Sequence, residues 1–154
     1  MNSFLDEITW RKCVTSLPIC AIDLIFVQNN SRVLMGKRTN EPAKNTYFVP
    51  GGRIFKNESI KEAFERISLS ETKQTFDFIN SKFLGCFEHF YDNSKWLNYD
   101  ISTHYIVLAY QININNVVKF DLSSQHNSYL WLDKKSIARS EIHKYSINYL
   151  NLVL

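Results

Sequence analysis

The chain has 154 residues, a size that suits one globular domain over 1–154, and its 45% hydrophobic and 14% aromatic content is ample for a continuous core. A net charge of +3 suits a phosphate-bearing ligand, but no segment gathers it into a basic stripe, which argues against nucleic acid as a partner. Three cysteines, Cys13, Cys20 and Cys86, form no C-x-x-C pair, and the most apolar stretch, Leu17 to Val27, is short and holds Asp23; a cytoplasmic protein with no disulfide framework, zinc knuckle, signal pattern or membrane span is expected.

Ile19 to Val27 reads as a strand with both faces largely apolar, joined through Asn29-Asn30-Ser31 to a second strand, Val33 to Lys37, as a hairpin. After a loop from Asn40 to Thr46, Tyr47-Phe48-Val49 makes a short strand that Pro50 ends, and Gly51-Gly52 opens a tight loop. Ser59 with Glu62 three residues on is a capping box, and Ile60, Ala63, Phe64 and Ile67 give a helical apolar face, so a helix is predicted over Ser59 to Lys73. Phe83 to Phe90 and Ile101 to Ile112 read as long strands around a polar loop, Tyr91 to Asp100. Ser128 to Leu132 reads as a shorter strand and Glu141 to Leu150 as a final helix. The sum is an α/β architecture, a mixed sheet with helices packed on it.

The chemistry concentrates around the glycine pair. Gly52, then five residues to Glu58, then Arg66 and Glu71 on the predicted helix, resemble the Nudix box. A glycine loop feeding a helix lets a main-chain carbonyl and a helix carboxylate converge on a hard divalent cation, with magnesium expected. The box is degenerate here: Ile67 and Ser70 stand where two acids belong and Lys73 replaces the late glycine. Glu71 falls on the Ile60, Phe64 and Ile67 stripe, so its carboxylate needs a partner, either a metal or an arginine such as Arg53 or Arg66, unless it stands at the frayed end of the helix. Asp23 shares a strand face with Ala21, Ile25 and Val27 and is either a site residue or a paired core carboxylate.

A narrower resemblance spans nearly the whole chain. Phe4-Leu5, Leu34 to Asn40, Pro42-Ala43, Phe48 to Arg53, Ala63 to Arg66, His89 to Asp92, Thr103-His104-Tyr105 and Gln125-His126 together resemble the GDP-mannose mannosyl hydrolase family, which itself lacks the two acids missing here. Lys73 and Asn127 are smaller departures from its pattern.

This resemblance implies a Nudix α/β/α sandwich and magnesium-dependent hydrolysis of GDP-mannose, with GDP-glucose or other GDP-hexoses as further substrates, to GDP and the free sugar. One essential magnesium ion would be held by the carbonyl of Gly51 and by Glu71 and Gln125. His126 would be the general base, as its unperturbed pKa of about 6.5 suits proton acceptance near neutrality. Water would attack the anomeric carbon with inversion. Arg38 and Arg53 would stabilise the diphosphate, while Asp23, Tyr105 and His89 would contact the sugar or orient the site. Phe4, Leu5 and Trp10 would approach the guanine across a homodimer. For His89, His104 and His143 no metal-ligand spacing appears. Two other readings remain: a Nudix pyrophosphohydrolase attacking phosphorus, which generally relies on a richer carboxylate cluster, and a Nudix-like binding module without catalysis.

Overall fold

The apolar run Ile19–Gln28 is the central strand, β1, buried along most of its length. In the computed structural model, which describes residues 5–94, 101–115, 126–133 (126–128 by backbone), 135 and 141–154, β1 runs parallel to β6, Thr103–Ile114, from the Ile19 and Tyr105 pair to the Gln28 and Ile114 pair. The opposite edge of β1 is divided. Its first half pairs antiparallel with β4, Gly51–Arg53, and its last two residues with β2, Arg32–Arg38. The three-residue turn between β1 and β2 places Asn29 and Asn30 at φ 50° and 52°, a left-handed pair that asparagine tolerates, and the Ser31 amide closes it by donating to the Gln28 carbonyl at 3.1 Å. Beyond the turn, β2 carries β3, Tyr47–Phe48, and β7, His126–Asp133, while β5, Lys82–Tyr91, borders β6. The sheet is mixed, with main path β3-β2-β1-β6-β5.

Alternation along the strands makes two cores. Ile22, Leu24, Phe26 and Leu34 pack with Ala63, Phe64 and Ile67 of α2, Ile60–Thr72. Ile25, Val27, Val33 and Met35 face the other way, onto Tyr149 and Leu150 of α3, Lys144–Val153. The expected α/β/α sandwich is thus the observed one, and no helix among the described residues is long and apolar enough to cross a membrane.

The helix over the box begins as expected. Ser59 Oγ accepts from the Glu62 amide at 3.2 Å, and the Glu62 carboxylate accepts from the Ser59 amide at 2.8 Å. It ends on Lys73, whose φ of 58° and ψ of 20° are left-handed. A side chain there crowds the following carbonyl, so Lys73→Gly is expected to raise stability by about 0.5–1 kcal/mol, read as a higher urea midpoint.

Four expectations need correction. A first helix, α1, Glu7–Ser16, was not anticipated; Asp6 caps it by accepting from the Thr9 amide, Trp10 and Val14 give it one buried face, and it stops before Pro18. Gly51 to Arg53 form a paired strand rather than only a tight loop, because their backbone joins Ala21 to Asp23. The last helix begins three residues late. Glu141 and His143 exchange backbone bonds with Tyr47, which holds them extended, and His143 becomes the cap. Finally, β6 and β7 outrun their predicted ends, drawn out by pairing with β1 and β2.

Candidate active site

Asp23 lies on the α3 face of β1, and its neighbours come from several other elements. Tyr149 Oη of α3 donates to Asp23 Oδ2 at 2.9 Å and lies 3.1 Å from His89 Nε2 on β5. All three side chains are buried. The His89 ring stacks on Tyr145, with centroids 3.9 Å apart, and meets Tyr91 and Phe48 edge-on. Tyr145 is pinned in turn, its hydroxyl accepting from the Phe90 amide at 2.6 Å and donating to the Phe90 carbonyl at 2.9 Å.

The electrostatics follow from burial. Desolvation pushes Asp23 up to about 7, against the Tyr149 hydrogen bond and the positive charge of Arg38. Desolvation also pushes His89 and His143 down to about 4, with Lys144 adding to both. Tyr105 is raised by burial and by the Asp23 charge, while Arg38 and Arg53 oppose the rise. Arg38 therefore acts on both Asp23 and Tyr105. Its guanidinium lies 5.8 Å from the Phe48 ring centroid, and its Nε is buried without an acceptor among the described residues.

The glycine pair stands between this cluster and α2. A Cβ on Gly51 would collide with the Asp23 carboxylate and the Ile22 carbonyl, and a Cβ on Gly52 would stand 3.2 Å from the Ile67 side chain. Side chains larger than hydrogen would therefore push β4 away from β1 or from α2. The remaining box residues pin the loop. Glu58 accepts from Arg66 through both carboxylate oxygens and from the Phe55 amide at 2.9 Å, while Arg66 also donates to the Arg53 carbonyl at 2.9 Å. Arg53 stacks between Trp10 and Phe55, 4.9 and 5.0 Å from their centroids, and Arg66 covers Phe55 at 3.8 Å. This alternation of cations and rings ties α1 to the loop.

The Nudix domain model matches residues 19–150. The chain belongs to the Nudix hydrolase family. It is similar to the low-salt glycan biosynthesis protein Agl8 of Haloferax volcanii, at 36% identity over 118 residues, 77% of this chain and 72% of that protein. Its fold resembles that of the MutT NUDIX hydrolase from Burkholderia pseudomallei, with a TM-score of 0.73 at 16% identity over 90% of this chain and 100% of the other. It also resembles a MutT/nudix family protein from Enterococcus faecalis, with a TM-score of 0.63 at 18% identity over 82% of this chain and about half, 49%, of the other.

Within this Nudix fold Asp23, Arg38, His89 and Tyr105 come together on one side of the glycine pair, with Arg53 acting on Tyr105 as well. Glu71 is buried on α2, on the other side, and its carbonyl accepts from the Tyr129 hydroxyl at 2.7 Å. His126 opens β7, where its backbone pairs with that of Arg38. Trp10 is buried within its own chain, with Nε1 lacking an acceptor among the described residues, and Leu5 is exposed just before α1. Phe4 and Gln125, and the side chain of His126, lie outside the described residues.

Among the described residues no three His, Cys, Asp or Glu side chains gather as a metal cage. The glycine turn and α2 offer one buried carboxylate, Glu71, and main-chain carbonyls. That hard-oxygen set fits magnesium, which keeps several waters and takes one or two carboxylates plus substrate phosphate.

Sequence reasoning passed over Tyr91, His143, Tyr145 and Tyr149 as site neighbours, since an aromatic residue on an apolar strand or helix face looks like core. For His143 the signal was its place just before a helix. Its Nδ1 accepts from the Tyr145 amide at 3.4 Å, an acceptor that protonation removes. Because its folded pKa of about 4 lies below the unfolded 6.5, stability is full above about 6.5 and falls as the pH drops toward 4. Asp23, raised to about 7, offsets part of this over the same window. His143→Asn keeps the cap without the titration and, discounted for partial exposure, is expected to recover on the order of 1 kcal/mol at pH 5 relative to pH 7.5 in paired thermal melts.

Proposed function

We propose that this Nudix hydrolase cleaves GDP-mannose, and related GDP-hexoses, to GDP and the free sugar by attack of water on the anomeric carbon, within a single domain over residues 1–154 that works as a homodimer. The observation that carries the reading is the buried Arg38 Nε, without an acceptor among the described residues, in a cluster where Arg38 and Arg53 both act on Tyr105 beside a buried Asp23. A charged donor buried in that way calls for an anionic acceptor, and a diphosphate matches two guanidinium forks. The similarity to a glycan biosynthesis protein agrees with a sugar-nucleotide substrate.

In this mechanism Arg38 and Arg53 bind the diphosphate and stabilise the GDP that departs, so no protonated acid is required at the leaving oxygen. His126 accepts the proton of the attacking water, whose approach opposite GDP inverts the anomeric centre through an oxocarbenium-like transition state. Asp23, Tyr105 and His89 hold the sugar and orient the groups around it. Gly51 through its carbonyl, Glu71 and Gln125 would hold one magnesium ion, which when bound supplies Lewis-acid stabilisation of the diphosphate. By the same reading Phe4, Leu5 and Trp10 approach the guanine, and the indole N–H of Trp10, which has no acceptor among the described residues, is a donor available to it.

The test is hydrolysis of GDP-mannose with magnesium in oxygen-18 water. GDP and labelled mannose, with the β-anomer first by proton NMR, is the expected result. GMP with label on phosphorus would overturn it in favour of pyrophosphate cleavage, and absence of turnover with any GDP-sugar would favour a binding module.

A further inference from the structure

Tyr149 belongs to none of the roles above, yet its hydroxyl stands between two groups that do. It is fully buried on α3, donates to Asp23 Oδ2 at 2.9 Å and lies 3.1 Å from His89 Nε2, joining residues 126 and 60 positions away in the chain. A phenol has a single proton. When it is given to an ionised carboxylate, the oxygen has only lone pairs left for His89, so the histidine must donate from Nε2. The remaining ring nitrogen, Nδ1, is then an acceptor. Stacking on Tyr145 at 3.9 Å and edge contacts to Phe48 and Tyr91 stop the ring from turning to evade this arrangement. At the other end, the Asp23 carboxylate oxygen that Tyr149 leaves free faces Gly51, close enough to exclude a Cβ there.

We propose that Tyr149 is a positioning residue of the active site, fixing the Asp23 carboxylate against the glycine turn and His89 in its Nε2-protonated tautomer. It acts through these two side chains and not on the substrate. The inference deepens the GDP-sugar hydrolase reading and rests on it for its kinetic consequence, but its structural content stands apart from that reading. Nothing in the packing of α3 alone asks for the hydroxyl, since phenylalanine would fill the same space between Phe87 and His89.

The experiment joins long-range nitrogen-15 NMR of the histidine rings at pH 8.5 with steady-state kinetics on GDP-mannose, for the wild type and Tyr149→Phe. The expected wild-type spectrum has His89 neutral and protonated on Nε2. In the variant that tautomer is no longer enforced, kcat falls about ten-fold and KM stays within about two-fold, the pattern of groups misplaced by a fraction of an ångström. A wild-type His89 protonated on Nδ1, or a variant with unchanged tautomer and kcat, would overturn the proposal. The wild-type tautomer requires no variant, so the idea stays open to refutation if Tyr149→Phe does not fold. Should the wild type turn over no GDP-sugar, the hydrolase reading falls, while the tautomer comparison still decides whether Tyr149 positions His89.

Discussion

Replacing His126 by glutamine is expected to lower kcat on GDP-mannose by about 10²- to 10⁴-fold while KM changes little, the range over which a positioned base accelerates proton transfer. Glutamine keeps a similar length and a hydrogen-bonding tip but cannot take the proton from water. The backbone of His126 pairs with that of Arg38, where β2 and β7 change register between Gly36 and Arg38, so the proposed base and a proposed diphosphate ligand stand on neighbouring strands. Irregularities of that kind re-aim side chains at strand ends and often border active sites. Near-normal turnover by His126→Gln would remove it as the base, and the remaining activity would have to come from another acceptor or from water attack without one. Single-turnover measurements separate the two quantities, since substrate binding and chemistry are then read independently.

Arg38→Lys is expected to cost about 10²-fold in kcat, close to 3 kcal/mol of transition-state stabilisation, the usual scale for removing one oriented donor from a developing anion. The charge is kept, so a loss of this size would show that the planar fork is needed rather than the charge alone. Two further effects have predictable signs. Lysine loses the guanidinium contact over the Phe48 ring, and its more mobile charge opposes the burial of Asp23 less well, so the Asp23 carboxylate should titrate higher still. Equal activity of the lysine variant, measured at saturating GDP-mannose and magnesium, would show that a positive charge at this place on β2 suffices and that the planar fork is not used.

Much of the scaffold was legible in the residue order, because the signals concerned are local. A capping box closes within three residues, an amphipathic stripe repeats every turn, and a run such as Ile22 to Val27 permits little besides a buried strand. The box from Gly52 to Glu71 was readable in the same way, and with it the Nudix fold. The helix Glu7–Ser16 was equally local, with Asp6 as cap and Trp10 and Val14 one turn apart, and was missed because two apolar residues make a faint stripe.

What the residue order did not carry was the company each residue keeps. Asp23 reads alike as a paired core acid or as a site acid, and only the tertiary structure decides: burial raises it to about 7, while Tyr149, arriving from 126 residues away, and Arg38 hold that rise back. The two arginines of the box and loop differ for the same reason. Arg66 is committed to Glu58 and the Arg53 carbonyl, a structural pin, whereas Arg53 is held between two rings with its charge acting on Tyr105. Local sequence determined which elements form and which faces they bury. Desolvation and charge pairing depend on every neighbour within a few ångströms, whatever its distance along the chain, so the burial and electrostatic surroundings of these residues were decided only when the parallel pairing of β1 with β6 and the packing of α3 brought those neighbours together.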